Sequence, residues 1–223
     1  MIKVENILVW GFPAAVRGMR NPLNSWEKSD SGYGCATDKC NDCIAECNAA
    51  WSVFVIGDAD MALMQKLYKA GTEHRKYLRQ IFVSMDIVAP LYWWKEFDTY
   101  KVGTVANSCS TMHKIHAKEF TLDDFSHEHL DACGLDLIEY TIRHLNVYRR
   151  KYLKNNNKDD WWQMIQLLPS SYNQRRTVTM NYENAVNMIR QRENHKLDEW
   201  RDFVKELRQL PYMKQIMEGD SNC

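Results

Sequence analysis

The sequence lacks long apolar runs and an excess of charge, and each absence excludes a class of protein. No stretch reaches membrane-spanning length, and the N-terminus has no signal-peptide core. Lys+Arg is 29 and Asp+Glu is 29, so the zero net charge gives no electrostatic reason to expect nucleic-acid binding. These absences predict a soluble cytoplasmic protein with no membrane or nucleic-acid partner.

Glycine-rich phosphate loops are also missing, since the nine glycines form neither a Walker nor a dinucleotide fingerprint. This leaves flavin binding open, because other folds bind flavins without such loops. The composition is globular, with 45% hydrophobic and 12% aromatic residues. We predict a single domain over 1–217, with a cysteine-containing loop at 21–50 and a disordered tail at 218–223.

Hydrophobic patterning predicts an α+β fold in which helices outnumber strands. Tyr77–Ala89 mixes β-branched, aromatic and aliphatic residues, which indicates a mostly buried central strand. Pro90 suits the first turn of a helix over Leu91–Thr99, and Glu128–Leu153 has the apolar spacing of a long helix. Other predicted elements are strands at 3–10 and 174–180, a helical turn at 121–125, and helices at 14–20, 58–70 (capped by Asp58), 161–168, 181–191 (capped by Asn181) and 196–207.

The chain turns small and polar after Gly103, through Thr104–Thr111. Such a run offers short donors and acceptors to a ligand, and its backbone can approach closely. A serine-rich turn after a buried helix is the alternative.

Four cysteines have the spacing C-x4-C-x2-C-x3-C, at Cys35, Cys40, Cys43 and Cys47. Four thiolates this close could hold a tetrahedral zinc ion or an iron–sulfur cluster. The spacing differs from common zinc patterns, which have two separated pairs, so free loop thiols are the other interpretation.

The segment Asn181–Arg192 places Asn181, Asn184 and Asn187 three residues apart, followed by Arg190 and Arg192. A helix face of amides that ends in arginines can bind a planar heterocycle and a phosphate. An exposed polar helix face is the alternative.

The sequence resembles the flavin-dependent thymidylate synthases across nearly its whole length. Leu168-Pro169, Asn181, Asn187 and Arg192 match the family's spacing of its Leu-Pro pair, two asparagines and arginine without gaps. Three more segments are similar to family motifs, namely Ala14–Arg17, Gly71–His74 and Lys95–Lys101. Val105–His113 is similar to the family's S-x-N-E-x-S-x-R-Y segment if one residue is inserted after Lys101.

This chain departs from the family where the family holds phosphate and flavin. Thr99-Tyr100-Lys101 replaces R-H-R, Ser108 replaces a glutamate, and Met112 and Ile165 replace two arginines. Each lost charge-assisted hydrogen bond costs about 1.5–3 kcal/mol. Arg17, Arg175, Arg176 and Arg190 are possible replacement cations.

The resemblance implies a central, mostly antiparallel sheet with flanking long helices, and a homotetramer that binds FAD. It implies methylene transfer from methylenetetrahydrofolate to dUMP, a methyltransferase reaction with NADPH as reductant. By the resemblance, the residues that would contact flavin are His74, Tyr100, Lys101, Asn181 and Asn187. Those that would line the nucleotide are Lys95, Glu96, Ser108, Ser110 and Arg192, with Ser110 and Arg192 catalytic.

Three functions therefore stay open at this point. The first is an enzyme of this kind with an altered substrate site. The second is a non-catalytic relative that keeps a flavin or nucleotide ligand. The third is a structural or interaction protein on the same fold, of which a zinc-stapled module is one form.

Overall fold

The computed structural model describes residues 2–35 and 52–218, and the elements below are those of that part of the chain. The strands are β1 (Lys3–Trp10), β2 (Gly32–Cys35), β3 (Ser52–Val55), β4 (Phe82–Pro90), β5 (Thr104–Ser108) and β6 (Asn173–Asn181). The helices are α1 (Phe12–Arg20), α2 (Asp58–Lys69), α3 (Leu91–Phe97), α4 (Ala132–Asn155), α5 (Lys158–Leu167), α6 (Tyr182–Arg192), α7 (Asp198–Arg208) and α8 (Met213–Met217). None of these helices is long and apolar enough to cross a membrane.

Two sheets are formed. Four strands make the larger one in the order β1-β4-β6-β5, and β2 pairs with β3 as an antiparallel hairpin. The predicted α+β class, with a mainly antiparallel sheet and helices around it, is confirmed.

Strand β4 lies inside the larger sheet, as the sequence predicts for a central strand. Alternate residues of β4 are buried, namely Val83, Met85, Ile87 and Ala89. The predicted start at Tyr77 is wrong, because Lys76–Gln80 form a 3-10 turn. Tyr77 and Leu78 are both buried, whereas neighbours in a strand point to opposite faces. The Tyr77 hydroxyl donates to the Met64 carbonyl at 2.8 Å, which holds the turn against α2.

Helix starts follow capping groups rather than the first apolar residue. Helix α4 begins four residues later than predicted, because the Asp131 side chain accepts from the Gly134 amide at 2.9 Å. The predicted cap Asn181 is confirmed, since it accepts from the Asn184 amide at 3.0 Å.

The predicted cap of α2 is wrong, because Gly57 occupies the N-cap position. The Asp30 side chain accepts from the Ala59 and Asp60 amides at 2.8 and 3.1 Å. The cap therefore comes from a carboxylate 28 residues before Asp58, which no local pattern would show.

Regular structure also occurs where the sequence predicts loop. Residues 104–108 form the edge strand β5, and Gly32–Cys35 form β2 within the predicted loop at 21–50. Four of the five residues of β5 are exposed, so this strand has no apolar alternation to reveal it.

The contacts divide the chain into two units, which we describe separately. One comprises Met1–Ile7, Ser84–Thr179 and Gln191–Val204. It contains an aromatic cluster, in which Trp93 lies 4.7 Å from Trp200 and 4.9 Å from Trp94 between ring centroids. A second core in this unit is built on α4 and α5 from Ile115, Phe120, Phe125, Ile138, Ile142, Leu145 and Met164.

The other unit comprises Leu8–Val83, Met180–Arg190 and Lys205–Cys223. Its buried ion pair joins Arg20 Nε to Asp60 Oδ1 at 2.6 Å. Burial opposes ionisation of Asp60, but hydrogen bonds from Ser29, Ser31 and Arg20 outweigh it and lower the pKa of this carboxyl. The ion pair fixes the end of α1 to α2.

Candidate functional site

Arg192, the last residue of α6, lies beside Glu96, which the resemblance assigns to the nucleotide, and Tyr100, which it assigns to the flavin. Its Nη1 donates to Glu96 Oε2 at 2.9 Å, and its Nε donates to the Tyr100 hydroxyl at 2.9 Å. The guanidinium carbon also lies 4.8 Å from the centre of the Trp200 ring. The structure thus brings together Glu96, Tyr100 and Arg192, and we call these residues with Trp200 the Arg192 cluster.

Glu96 is the hub of this cluster. The oxygen that accepts from Arg192 also accepts from Trp200 Nε1 at 3.1 Å and lies 3.2 Å from His195 Nε2. The Arg192 side chain is about one-fifth exposed, at 21%, and its charge is paired. The Arg192 charge is therefore neutralised by Glu96, and its guanidinium is stacked on Trp200. This arrangement suits the binding of a neutral planar ring better than that of a phosphate dianion.

A cavity of about 300 Å³ adjoins Tyr100. We call it the Tyr100 cavity, and it is lined by Phe97, Asp98, Tyr100, Lys101, Thr104 and Ala106. The Asp98 carboxylate pairs with Arg176 at 2.7 Å, so the acid on the cavity wall is compensated. Lys101 is exposed and has no ion-pair partner within residues 2–35 and 52–218. An aromatic ring and an unpaired ammonium group at one cavity suit a planar, anionic ligand.

The other predicted nucleotide residues make no hydrogen bond or ion pair with the Arg192 cluster in the described part of the chain. Lys95 is exposed on α3, and Ser108 is exposed at the end of β5. The Ser110 hydroxyl accepts from the backbone amides of Met112 and His113 at 3.2 and 2.8 Å. Ser110 therefore holds a turn, and a ligand would compete with these two bonds.

A second cavity of about 360 Å³ lies between that turn and the junction of α4 with α5. We call it the Lys158 cavity, and it is lined by Met112, His113, Tyr152, Asn156, Lys158 and Trp161. Trp161 Nε1 donates to the Met112 carbonyl at 2.9 Å, which fixes one aromatic wall. Lys158 has no ion-pair partner among the residues that the structure describes. The first-turn acids Asp159 and Asp160 already complement the helix dipole, so any anion affinity here rests on Lys158 and His113.

The two positions where arginines are replaced have different surroundings. Met112 lines the Lys158 cavity, whereas Ile165 packs against the hydrophobic core of α4 and α5. Sequence reasoning missed Lys158, Trp161 and His195, because no motif or spacing marks them.

The proposed replacement arginines of this unit are engaged elsewhere. Arg175 pairs with Asp86 at 2.8 Å and with Glu5 at 3.3 Å. Arg176 pairs with Asp98 and lies 4.2 Å from the centre of the Trp94 ring. Within the other unit, Arg190 lies over the Tyr68 ring at 4.8 Å, and Arg17 is exposed on α1.

The remaining predicted flavin residues belong to that other unit. His74 is exposed in a turn, and the 3-10 turn of Lys76–Gln80 separates it from β4. The side-chain oxygen of Asn181 accepts the hydrogen bond that caps α6. Asn187 is half-buried on α6 and has no hydrogen-bond partner for its side chain in the described ranges.

Most of the cysteines that are predicted to bind zinc lie outside the residues that the structure describes. Cys35 ends β2, and Cys40, Cys43 and Cys47 lie outside the described residues. Within residues 2–35 and 52–218, no three His, Cys, Asp or Glu side chains are grouped to hold a metal ion.

Comparison with known proteins gives a match in structure. No protein-family model and no curated protein matches the sequence. The crystal structure of flavin dependent thymidylate synthase ThyX from Helicobacter pylori, complexed with FAD and dUMP, is similar with a TM-score of 0.66 and 15% identity. The match covers 97% of this chain and 98% of that one. Another crystal structure of that enzyme with FAD and dUMP gives a TM-score of 0.65 and 15% identity over 98% and 99% of the two chains. This chain therefore has the ThyX fold.

Proposed function

We propose that this protein binds a flavin and a nucleotide on the ThyX fold, and that its turnover of dUMP is weak or absent. The observation that carries the proposal is the full-length structural likeness to an enzyme crystallised with FAD and dUMP. The Arg192 cluster and the Tyr100 cavity support it, because they join four of the residues that the resemblance assigns to ligand binding.

FAD is the proposed cofactor, and the Tyr100 cavity offers a chemical fit to part of it. Tyr100 supplies an aromatic edge, Lys101 an unpaired cation, and Arg192 a stacked guanidinium held in place by Glu96. Bound FAD would supply the redox chemistry that protein side chains lack. By the resemblance, Asn181, Asn187 and His74 are also proposed as flavin contacts.

The nucleotide phosphate would bind in the Lys158 cavity. In this proposal Lys158 and His113 act in place of the missing arginines, and Trp161 and Tyr152 form aromatic walls. One ammonium group gives fewer charge-assisted hydrogen bonds than two bidentate guanidinium groups. The phosphate of dUMP is therefore held less firmly, which is the physical reason for weak turnover.

Any residual methylene transfer would use Ser110 and Arg192 at the pyrimidine, with methylenetetrahydrofolate and NADPH as co-substrates. Ser110 first has to give up its two backbone hydrogen bonds, and Arg192 has to meet the ring while paired with Glu96. Both requirements oppose efficient catalysis. The proposal includes a cytoplasmic homotetramer, and a zinc ion on the four loop cysteines.

A flavin titration and a tritium-release assay test the proposal together. FAD titrated into purified protein should show saturable binding at micromolar concentrations, and labelled dUMP with FAD, NADPH and methylenetetrahydrofolate should release little tritium. Turnover equal to that of an active ThyX would refute the catalytic part. Absence of flavin binding at micromolar concentrations would favour a purely structural protein. For the cysteines, elemental analysis should find about one zinc per chain, because four thiolates saturate one tetrahedral ion.

A further inference from the structure

A third cavity, of about 640 Å³, lies within the unit that contains the β2–β3 hairpin, and we call it the hairpin cavity. Its walls come from the end of β1 with the start of α1, from the hairpin, and from the start of α8 with the turn before it. No residue assigned above to the flavin or the nucleotide lines it, and none of its lining residues lies in a segment that resembles the family. The proposed function therefore leaves this cavity unexplained.

Five aromatic rings line the hairpin cavity, and none of the described residues around it carries a charge. The rings are those of Trp10, Phe12, Tyr33, Phe54 and Tyr212. Small-molecule ligands occupy cavities of about 300–1,000 Å³ that are mostly apolar and aromatic, with a few polar groups. An ion would lose its hydration here without gaining a counter-charge, so the lining selects for an uncharged ligand.

Contacts among the rings and the backbone hold the walls of the cavity in place. Phe12 is buried and meets Tyr182 and Tyr212 edge to face, with ring centroids 5.7 and 5.3 Å apart. The Tyr212 hydroxyl accepts from the Ile56 amide at 3.3 Å and donates to the Phe54 carbonyl at 3.4 Å. These bonds tie the hairpin to the turn before α8. The cavity is therefore formed before a ligand arrives, which lowers the ordering cost of binding.

Tyr212 holds its place at a conformational cost. Its φ of 59° lies in the left-handed region, which a bulky residue other than glycine rarely adopts. Such strain persists only where the surrounding structure imposes it, and strained residues are concentrated at ligand sites and switches. The strained residue of this turn is also the one that joins two walls of the cavity.

The rings of Trp10 and Tyr33 are available to a ligand. Tyr33 is 70% exposed and meets Phe54 edge to face at 5.4 Å, whereas Trp10 is 46% exposed and stacks one face on Phe82. Neither the Trp10 indole N–H nor the Tyr33 hydroxyl has a hydrogen-bond partner within residues 2–35 and 52–218. Exposed rings with unused donors suit a planar ring system that carries a hydrogen-bond acceptor.

We propose that the hairpin cavity binds a small uncharged molecule with a planar aromatic ring system and a carbonyl group. Trp10 and Tyr33 contact its ring faces, and the indole N–H or the phenolic hydroxyl donates to its carbonyl oxygen. Phe12, Phe54 and Tyr212 supply the apolar surface around it. This proposal goes beyond the flavin and nucleotide proposal and uses none of the same residues.

The dye Prodan tests the site, because it is an uncharged naphthalene with one carbonyl group. Its emission shifts to the blue when it leaves water. Full-length protein titrated into a fixed low concentration of Prodan should give a saturable shift in the sub-millimolar range that a ligand of this size reaches. Absence of a saturable shift would overturn the proposal.

Competition separates charge from shape. Acetylnaphthalene is uncharged and should displace Prodan, whereas naphthoate has the same rings with a carboxylate and should compete about tenfold less well or worse. Equal competition by the two compounds would contradict selection for an uncharged ligand.

Variants on the hairpin test the location. V53K places an ammonium group at the cavity and should weaken Prodan binding about tenfold or more. Y33A removes an exposed ring and should weaken it about three- to tenfold. V55K is the matched control, since Val55 is 40% exposed on the same strand but does not line the cavity. Unchanged binding by V53K and Y33A, or an equal loss in V55K, would show that Prodan binds elsewhere and would overturn the proposal.

Hydrogen exchange gives an independent measure of location. Saturating acetylnaphthalene should slow amide exchange in β2 and β3, because a ligand stabilises the segments that it contacts. Exchange in α4, which belongs to the other unit, should stay unchanged. Slower exchange in α4 without any change in the hairpin would refute the assignment. V53K and Y33A should bind FAD as the wild type does, and a failure of FAD or dUMP binding would leave the Prodan results unchanged, so the two proposals fail separately.

Discussion

The Arg192 cluster and the Lys158 cavity lie in the same unit and both carry a cation, but their charges differ in availability. Arg192 is paired with Glu96, hydrogen-bonded to Tyr100 and stacked on Trp200. Lys158 borders a cavity and has no ion-pair partner in the described part of the chain. The position that matches a family motif thus holds a compensated charge, and a position outside every motif holds an available one.

Removing the unpaired charge at the Lys158 cavity should have the largest effect on dUMP binding. K158A with H113A should weaken dUMP binding by about 10- to 150-fold, because a charge-assisted hydrogen bond contributes about 1.5–3 kcal/mol. Calorimetric titration with dUMP and with uridine measures the difference, and uridine affinity should stay constant since uridine has no phosphate. K114A is the matched control, an exposed lysine beside the cavity that does not line it. Equal losses for dUMP and uridine would show that the cavity does not hold the phosphate.

Removing the Glu96 charge that neutralises Arg192 should have a smaller effect on dUMP affinity, and of opposite sign. E96Q removes the carboxylate charge beside Arg192, so affinity for a nucleotide anion should rise about three- to tenfold. Stability should fall by about 1–2 kcal/mol, because Arg192 and the Trp200 indole lose an ionised acceptor. Urea unfolding and dUMP titration measure the two quantities.

D98N is the control for the E96Q variant, since Asp98 is a nearby carboxylate paired with Arg176 instead. It should leave the affinity for dUMP unchanged. If E96Q bound dUMP less tightly than the wild type, Glu96 would be a ligand contact rather than a competitor for Arg192.

The smallest effect is expected at Arg175, another cation that is paired with carboxylates, here Asp86 and Glu5. Hydrogen bonds from Thr177, Arg175 and Asn6 lower the pKa of Asp86 well below its usual range. A lowered native pKa stabilises the fold above the unfolded pKa of about 3.9, and this stabilisation is lost as pH falls below it. Thermal unfolding from pH 7 to pH 2.5 should therefore show a steeper loss for the wild type than for D86N. Parallel curves would mean that Asp86 is not stabilised in its ionised form.

The elements of the fold differ in how far the sequence predicts them. The interior strand β4 and the amphipathic helices could be predicted, because alternation and 3.6-residue spacing are local patterns. The cap of α2 by Asp30 and the edge strand β5 could not, since one depends on a distant carboxylate and the other has no apolar side to mark it.

The features of the candidate site also differ in how far the sequence predicts them. Glu96, Tyr100 and Arg192 were selected through motifs, and in the structure Arg192 donates hydrogen bonds to both Glu96 and Tyr100. Motif matching could not show that Glu96 also accepts from Trp200 and lies beside His195, or that Ser110 is occupied by its own turn. Such local competition depends on three-dimensional neighbours, which sequence spacing does not encode.

The aromatic cluster around α3 also has an optical consequence. With ring centroids 4.7 and 4.9 Å apart, the indoles of Trp93, Trp94 and Trp200 are close enough for their electronic transitions to couple. The near-ultraviolet circular dichroism of the protein should then be dominated by these three rings. Because the Arg192 guanidinium lies directly over Trp200, any molecule that moves Arg192 should change that spectrum. The protein thus carries an intrinsic chromophore beside its candidate ligand site, and occupancy can be followed without a label.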